Sequence, residues 1–340
     1  MKHFLKKLIR WESFMAVMLV CEVLIFGSYN PKMLNPMVLF GSIDNFMSIA
    51  VISLFVTFVL ITGGIDIQAG AIVGFSSICL GILWHDVGLN IWVAVILAII
   101  IGAICGLISG FVIAYTRVQA MVVTLGGSFL YSGLAIAVSK LSSTAAYKGI
   151  TQFPEGFTTF TKTKIGVIPS QLLIFIALVI IAYFILHRTK YGRKIFLCGI
   201  NQSAAEYSGI HSKRVIMSTY VFSGAGAALA GVLITSYLGT AKADLGSSLT
   251  LPIITVVVFG GTSIFGGRGH IIGTALSALI IGVLQFGLSM VGMSTQYFDI
   301  PIGVLLVVTV AIRSVGSPGA LTAYVRRLIL KPAAGREEKK

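Results

Sequence analysis

Few residues in this sequence are of a kind that does chemistry, and those few lie in apolar surroundings. Glu22, Asp66 and Asp299 fall within or at the edge of stretches otherwise made of Val, Ile, Leu, Phe and small residues. An ionisable group at membrane depth is costly, so it is kept where it pairs, relays a proton or lines a polar path. Asp66 stands in the run Gly63-Gly64-Ile65-Asp66-Ile67-Gln68-Ala69-Gly70. It has two readings there: a cap for the helix that follows, since an acid is favoured at a helix N-terminus, or part of a translocation pathway with Gln68, Gln119 and Thr124. So small a set of buried acids argues against coupling to protons or sodium.

Catalytic motifs are missing. No G-x-x-x-x-G-K-[ST] loop cradles a phosphate, no H-E-x-x-H binds zinc, and Cys21, Cys79, Cys105 and Cys198 lack metal or redox spacing. The cysteines read as small apolar residues. The five histidines, 3, 85, 187, 211 and 270, are dispersed. The sequence therefore predicts no catalytic site, no metal and no cofactor bound by this chain.

The elements that must position Asp66 are membrane helices. The chain has 340 residues, 56% hydrophobic and only 11% charged, against roughly 25% charged in soluble proteins. A spanning helix needs about 20 apolar residues. Ten stretches qualify as candidates, near 12–27, 46–62, 68–84, 91–115, 120–139, 170–187, 215–237, 250–264, 270–290 and 299–313, which predicts an all-α polytopic membrane protein of about ten spans. The first stretch holds Glu22 and lacks a small-x-small cleavage site, so it is expected to be retained. With ten spans and the N-terminus inside, 19 Lys and Arg lie inside and 6 outside. This obeys the positive-inside rule and assigns the basic excess to topology and anionic lipid, not to nucleic acid. Both termini are then cytoplasmic. A permease domain over 1–315, with an external loop at 140–169 and an inside loop at 187–214, precedes a basic tail at 316–340.

Glycine punctuates the helices. Gly102, Gly106 and Gly110 share one helix face, where another helix can approach closely. Gly63–Gly70 and Gly260–Gly269 interrupt apolar stretches in the two halves, in the manner of transporters built from related halves with broken helices. In the inside loop, Ser203 and Glu206 form an S-x-x-E capping box and Gly209 suits the left-handed position past a helix end. One short helix is expected within Asn201, Ser203, Ala204, Ala205, Glu206, Tyr207, Ser208, Gly209 and Ile210. A helix this short is marginal alone, so it must dock on the bundle, on lipid or on a partner.

Four runs in order make the chain similar to the ribose-type permeases of bacterial ATP-binding-cassette (ABC) importers: Gly63–Gly70, Val118–Gly126, Gly192–Ile210 and Val257–Gly267. Within that family, Cys21-Glu22-Val23, Phe153-Pro154 and Ser236–Gly246 resemble the autoinducer-2 branch, while Ile67-Gln68-Ala69 departs from the commoner Asp-Leu-Ser-Val-Gly form. The resemblance implies a permease subunit that moves a small sugar-like molecule, autoinducer-2 in that branch, by alternating access. It implies ATP-binding subunits that use the ATP and seat the short helix, a second, paralogous permease chain, a periplasmic substrate-binding protein, and residence in the bacterial inner membrane. The alternatives are a permease for ribose or another monosaccharide, and a stand-alone secondary transporter or channel.

Overall fold

A computed structural model describes residues 11–116, 118–144 and 148–315. The tail at 316–340 and the basic residues before Trp11 lie outside the described residues. Fourteen α-helices follow in order among the described residues: α1 (Trp11–Tyr29), α2 (Pro36–Ser42), α3 (Met47–Ile61), α4 (Ala69–His85), α5 (Ile91–Thr116), α6 (Ala120–Ser139), α7 (Glu155–Phe160), α8 (Ser170–Arg188), α9 (Lys190–Ile200), α10 (Gln202–Tyr207), α11 (Ser212–Leu238), α12 (Thr250–Phe259), α13 (Ile271–Met290) and α14 (Asp299–Val315). A two-stranded antiparallel hairpin, β1 (Lys164–Ile165) and β2 (Ile168–Pro169), leads into α8.

Six helices, α1, α5, α6, α8, α11 and α13, are long and apolar enough to cross a bilayer by themselves. The pair Pro36–Asn45 and Met47–Ile61, bent by 57°, makes up to seven. Three further apolar helices, α4, α12 and Thr295–Ala311, are shorter. The chain is thus a polytopic helical membrane protein, but length and composition do not establish ten spans. The shortfall has a physical cause. A helix expected over 250–264 stops at Phe259, because Gly260 and Gly261 turn the chain, the latter at φ 110°. Likewise Gly63, at φ 82°, ends the path of α3 before Asp66.

Sequence dictates who sits at the centre. Apolar all round, α3 is buried along its length apart from Phe55, as expected of a helix without a polar face. Around it, α1, α5, α6 and α8 keep apolar outer faces exposed, among them Leu24, Ile104, Phe129 and Phe184. Such faces suit lipid as the solvent. The glycine stripe of α5 lies on α11: a Cβ at Gly102, Gly106 or Gly110 would strike Ala228, the Tyr220 carbonyl or Met217 respectively. Gly224 answers from α11 against the Gly102 carbonyl. Backbones meet there because Gly102, Gly106 and Gly110 on one side and Gly224 on the other carry no side chain to hold them apart.

The bundle has two distinct ends. At one lie α9, α10, the Gly63–Gly64 turn and the loop 260–269. At the other, Asp86 binds Ser143, Ile150 pairs with Ala241, and Thr161 meets Ser236 at 2.9 Å.

Candidate functional site: two broken helices and the segment beneath them

Between α3 and α4 the chain runs without helix through 64–67, and its polar groups must be paired inside the protein. The Asp66 carboxylate does much of this. Its Oδ1 accepts the Gln68 amide at 3.1 Å and its Oδ2 accepts the Ser223 hydroxyl of α11 at 2.6 Å. The Thr124 hydroxyl of α6 donates to the Ile65 carbonyl at 3.1 Å, and Ser109 of α5 donates to Gln68 Oε1 at 2.7 Å. Asp66, Gln68 and Thr124 are all buried. The break is therefore clamped by three helices. Gln119 stands apart from this cluster, exposed ahead of α6.

A second non-helical stretch meets the first. After Gly239 the chain passes 240–249 before α12 begins, lying along α4 so closely that a Cβ at Gly74 would collide with the Ala243 carbonyl, and one at Gly246 with the Gly70 carbonyl. The Thr250 hydroxyl donates to the Ile67 carbonyl at 3.3 Å. Two short helices, α4 and α12, thus begin beside each other within the bundle.

At the α10 end three backbones converge. The Gly267 amide donates to the Ile61 carbonyl at 2.8 Å. A Cβ at Gly199, in the last turn of α9, would overlap the same carbonyl, and one at Gly266 would crowd Gly63 and the Gly199 carbonyl. The two glycine-rich breaks seen in the sequence touch each other here, and both touch α9. Nearby, the His187 and His270 rings stack with centroids 4.4 Å apart, and the Ile271 amide donates to His187 Nε2 at 3.4 Å. Among the described residues no three side chains form a metal-binding group.

The segment beneath this junction is two helices where the sequence suggested one. Thr189 caps α9 by accepting the Gly192 amide at 3.1 Å. Its buried residues Ile195 and Cys198, with Gly192, form one face between Lys190, Arg193 and Lys194. The 3–4 spacing of Tyr191, Ile195 and Cys198 was the available signal. The capping box is corrected: Asn201, not Ser203, caps α10, its Oδ1 accepting the Ala204 amide at 3.0 Å. Ser203 lies within the helix, and Glu206 instead takes the hydroxyl of Ser212. Gly209 does hold the left-handed position, at φ 80°, with its amide on the Glu206 carbonyl and the Ile210 amide on the Ala205 carbonyl at 3.0 Å, a Schellman ending. Ala205 is buried against the bundle, whereas Ala204 is exposed and Tyr207 is 94% exposed. On the neighbouring loop Phe265 is 93% exposed. Two large rings thus project from the same end.

Residues 38–310 match the family described as the branched-chain amino acid transport system permease component. The chain belongs to that permease family. Among curated proteins it is 41% identical over 305 residues to the autoinducer 2 import system permease protein LsrD of Photorhabdus temperata, covering 90% of this chain and 91% of that one. It is 40% identical, over 90% of this chain and 92% of theirs, to the proteins of that name from Escherichia coli K12 and Shigella flexneri. No solved structure matches. The chain is accordingly a permease subunit of an ABC importer, a transport component and not an enzyme. In this permease the sequence-predicted pathway and coupling residues, Gln119 apart, form two groups. Asp66, Gln68 and Thr124 meet at the break, and Asn201–Ile210 lie at the end below it.

Proposed function

We propose that this permease carries autoinducer-2 inward, as the names of its 40–41% identical relatives suggest, and that α10 is the peg on which an ATP-binding subunit pulls. The observation that carries the lever is the junction at Ile61, Gly199, Gly266 and Gly267, where the end of α9 touches both breaks. Force on α10 reaches α3 and the loop before α13 through backbone contacts, with no flexible side chain between. Asp66, Gln68 and Thr124 serve the pathway by holding its wall, and Gln119 stands at its mouth. The other partners are a second, paralogous permease chain, a periplasmic substrate-binding protein at the 140–169 end, and lipid around the apolar faces.

Ten crossings fit this reading. A 10-residue helix is about 15 Å long, half of the roughly 30 Å hydrocarbon core. Segments 62–68 and 240–249 supply the missing length to α4 and α12, and non-helical backbone is tolerated at that depth because protein encloses it. An even count puts both termini on one side, and the 19-to-6 excess of Lys and Arg makes that side the cytoplasm.

Uptake of labelled autoinducer-2 and labelled ribose, compared in a strain lacking this gene and in one with it restored, tests the substrate. Restored autoinducer-2 uptake is expected. Restoration of ribose uptake alone would replace the substrate and leave the permease in place.

A further inference from the structure

The transport reading leaves unused a cavity between α10 and the bundle. We infer that it is a binding site for a small uncharged polyhydroxylated molecule arriving from the α10 side, and that its occupancy fastens α10 to the bundle and slows import. Only the effect on import rests on the proposed function; the binding does not.

The cavity measures about 480 Å³. That is far more than the roughly 30 Å³ share of one water, and it falls in the small-molecule range of about 300–1,000 Å³. Its walls are the α3 turn at Thr62–Gly64, the end of α5, the start of α6, α10 and the start of α11. The lining favours hydroxyl groups over charge. Glu206 and Lys213 face it with opposite signs. Glu206 already takes the Ser212 hydroxyl, and the Lys213 ammonium lies 5.5 Å from the Tyr115 ring centre. With neither sign dominant, an anion gains little. Gln202 adds an amide, while Ala114 and Ile216 add an apolar wall suited to the C–H face of a polyol.

The inner end supplies the second observation. Tyr220 lines the cavity and is fully buried, and its hydroxyl, close to the Ile65 backbone, makes no hydrogen bond of normal geometry. Buried hydroxyls are almost always paired, so this one is a waiting donor and acceptor. It also packs against Gly64, where no side chain would fit. A molecule bonded to Tyr220 therefore touches the α3–α4 break at one side and α10 at the other, the two parts whose relative motion transport requires. Accumulated polyol would then act as feedback on import.

The test uses the full chain assembled with its partner subunits in lipid nanodiscs. Erythritol is the neutral probe and glycerol 3-phosphate the anionic one, with binding read by saturation-transfer NMR and hydrogen exchange read over 201–216. Erythritol is expected to bind saturably and slow exchange there. Tyr220→Phe, which keeps the volume, should weaken binding roughly tenfold, the loss of about one hydrogen bond. Ala114→Leu, which fills the space, should abolish it while labelled-substrate uptake continues; the Tyr220→Phe arm decides if Ala114→Leu does not fold. In proteoliposomes, erythritol on the α10 side should slow uptake in the wild type only. Absence of saturable binding, binding unchanged in Tyr220→Phe, tighter binding of glycerol 3-phosphate, or protection of 201–216 by detergent or lipid alone would each overturn the assignment. Failure of uptake with every substrate, beside intact erythritol binding, would instead strike the transport reading.

Discussion

At the scale of single residues, Asp66 is the most informative acid, and its surroundings show what it holds together. It accepts from Gln68 and Ser223 and is buried, so it anchors the start of α4 across a break. Asp66→Ala would leave both donors unpaired, at a cost of roughly 1–3 kcal/mol for each buried group so orphaned. Its thermal unfolding in detergent should fall well below that of Ser223→Ala, which removes one donor and leaves the backbone contact. Equal midpoints for the two variants would show that the carboxylate does not hold the break. A second carboxylate gives a pH signature at the opposite end. Partial burial pushes Asp86 up, but the Ser143 amide, the Ser142 and Ser143 hydroxyls and His85 outweigh it and hold it down at about 2, from an ordinary 3.8. A depressed acid stabilises the fold fully above its ordinary value and ceases to do so as pH falls through its folded value. Hydrogen exchange at Ser143, whose amide donates to Asp86 at 2.9 Å, should therefore quicken between about pH 4 and pH 2, and Asp86→Asn should remove that dependence.

At the scale of elements, Asn201 is the capping residue of α10, and the exposed faces of the helix are Ala204 and Tyr207. Asn201→Ala should cost about 1 kcal/mol of local stability and lower the recovery of the ATP-binding subunit on pull-down, while Ser203→Ala should change little. Tyr207→Ala should reduce that recovery further with membrane insertion intact. Ala205→Trp should instead lower the yield of folded chain, because Ala205 faces the bundle; normal yield with lost association would reverse this assignment of faces. Apolar length and glycine breaks made the helices legible in the sequence, and Gly209 marked a helix end that the structure has. What was not legible depended on distant partners. Ser203 and Glu206 have capping spacing, but Ser212 claims Glu206, and local pattern cannot see that competition. The α9 helix was missed because its periodic apolar face is split by glycines whose need arises from the Leu186 and Ile61 carbonyls they touch. The 240–249 stretch carried no helix signal, and only its packing on Gly70 and Gly74 reveals it as a partner of the first break.

At the scale of the whole molecule, the crossing number and the sidedness are one question. Six helices cross on length alone and a bent pair makes up to seven; an odd total would place the two termini on opposite sides. The lysines and arginines favour one side by 19 to 6 only if the count is ten. The contacts point the same way, since α5 and α11 run antiparallel, Gly102 beside Ala228 and Gly110 beside Met217, and α1 runs parallel to α13, with Trp11 bonded to the Phe259 carbonyl and Asn30 to that of Met290. Those directions require an odd number of crossings between α1 and α13; with α3, α5, α6, α8 and α11 crossing, that holds if α4 and α12, each with its non-helical piece, both traverse, or if neither does. Ser203→Cys on α10, Ser142→Cys in the opposite loop and Ser263→Cys between α12 and α13 probe this directly. Residues 142 and 203 should react with a membrane-impermeant thiol reagent from opposite sides, and 263 from the same side as 203. The native cysteines interfere little, because Cys79, Cys105 and Cys198 are buried and Cys21 sits on an apolar helix flank. Labelling of 263 from the side of 142 would mean that α12 turns back without crossing, and the ten-span arrangement would fall with it.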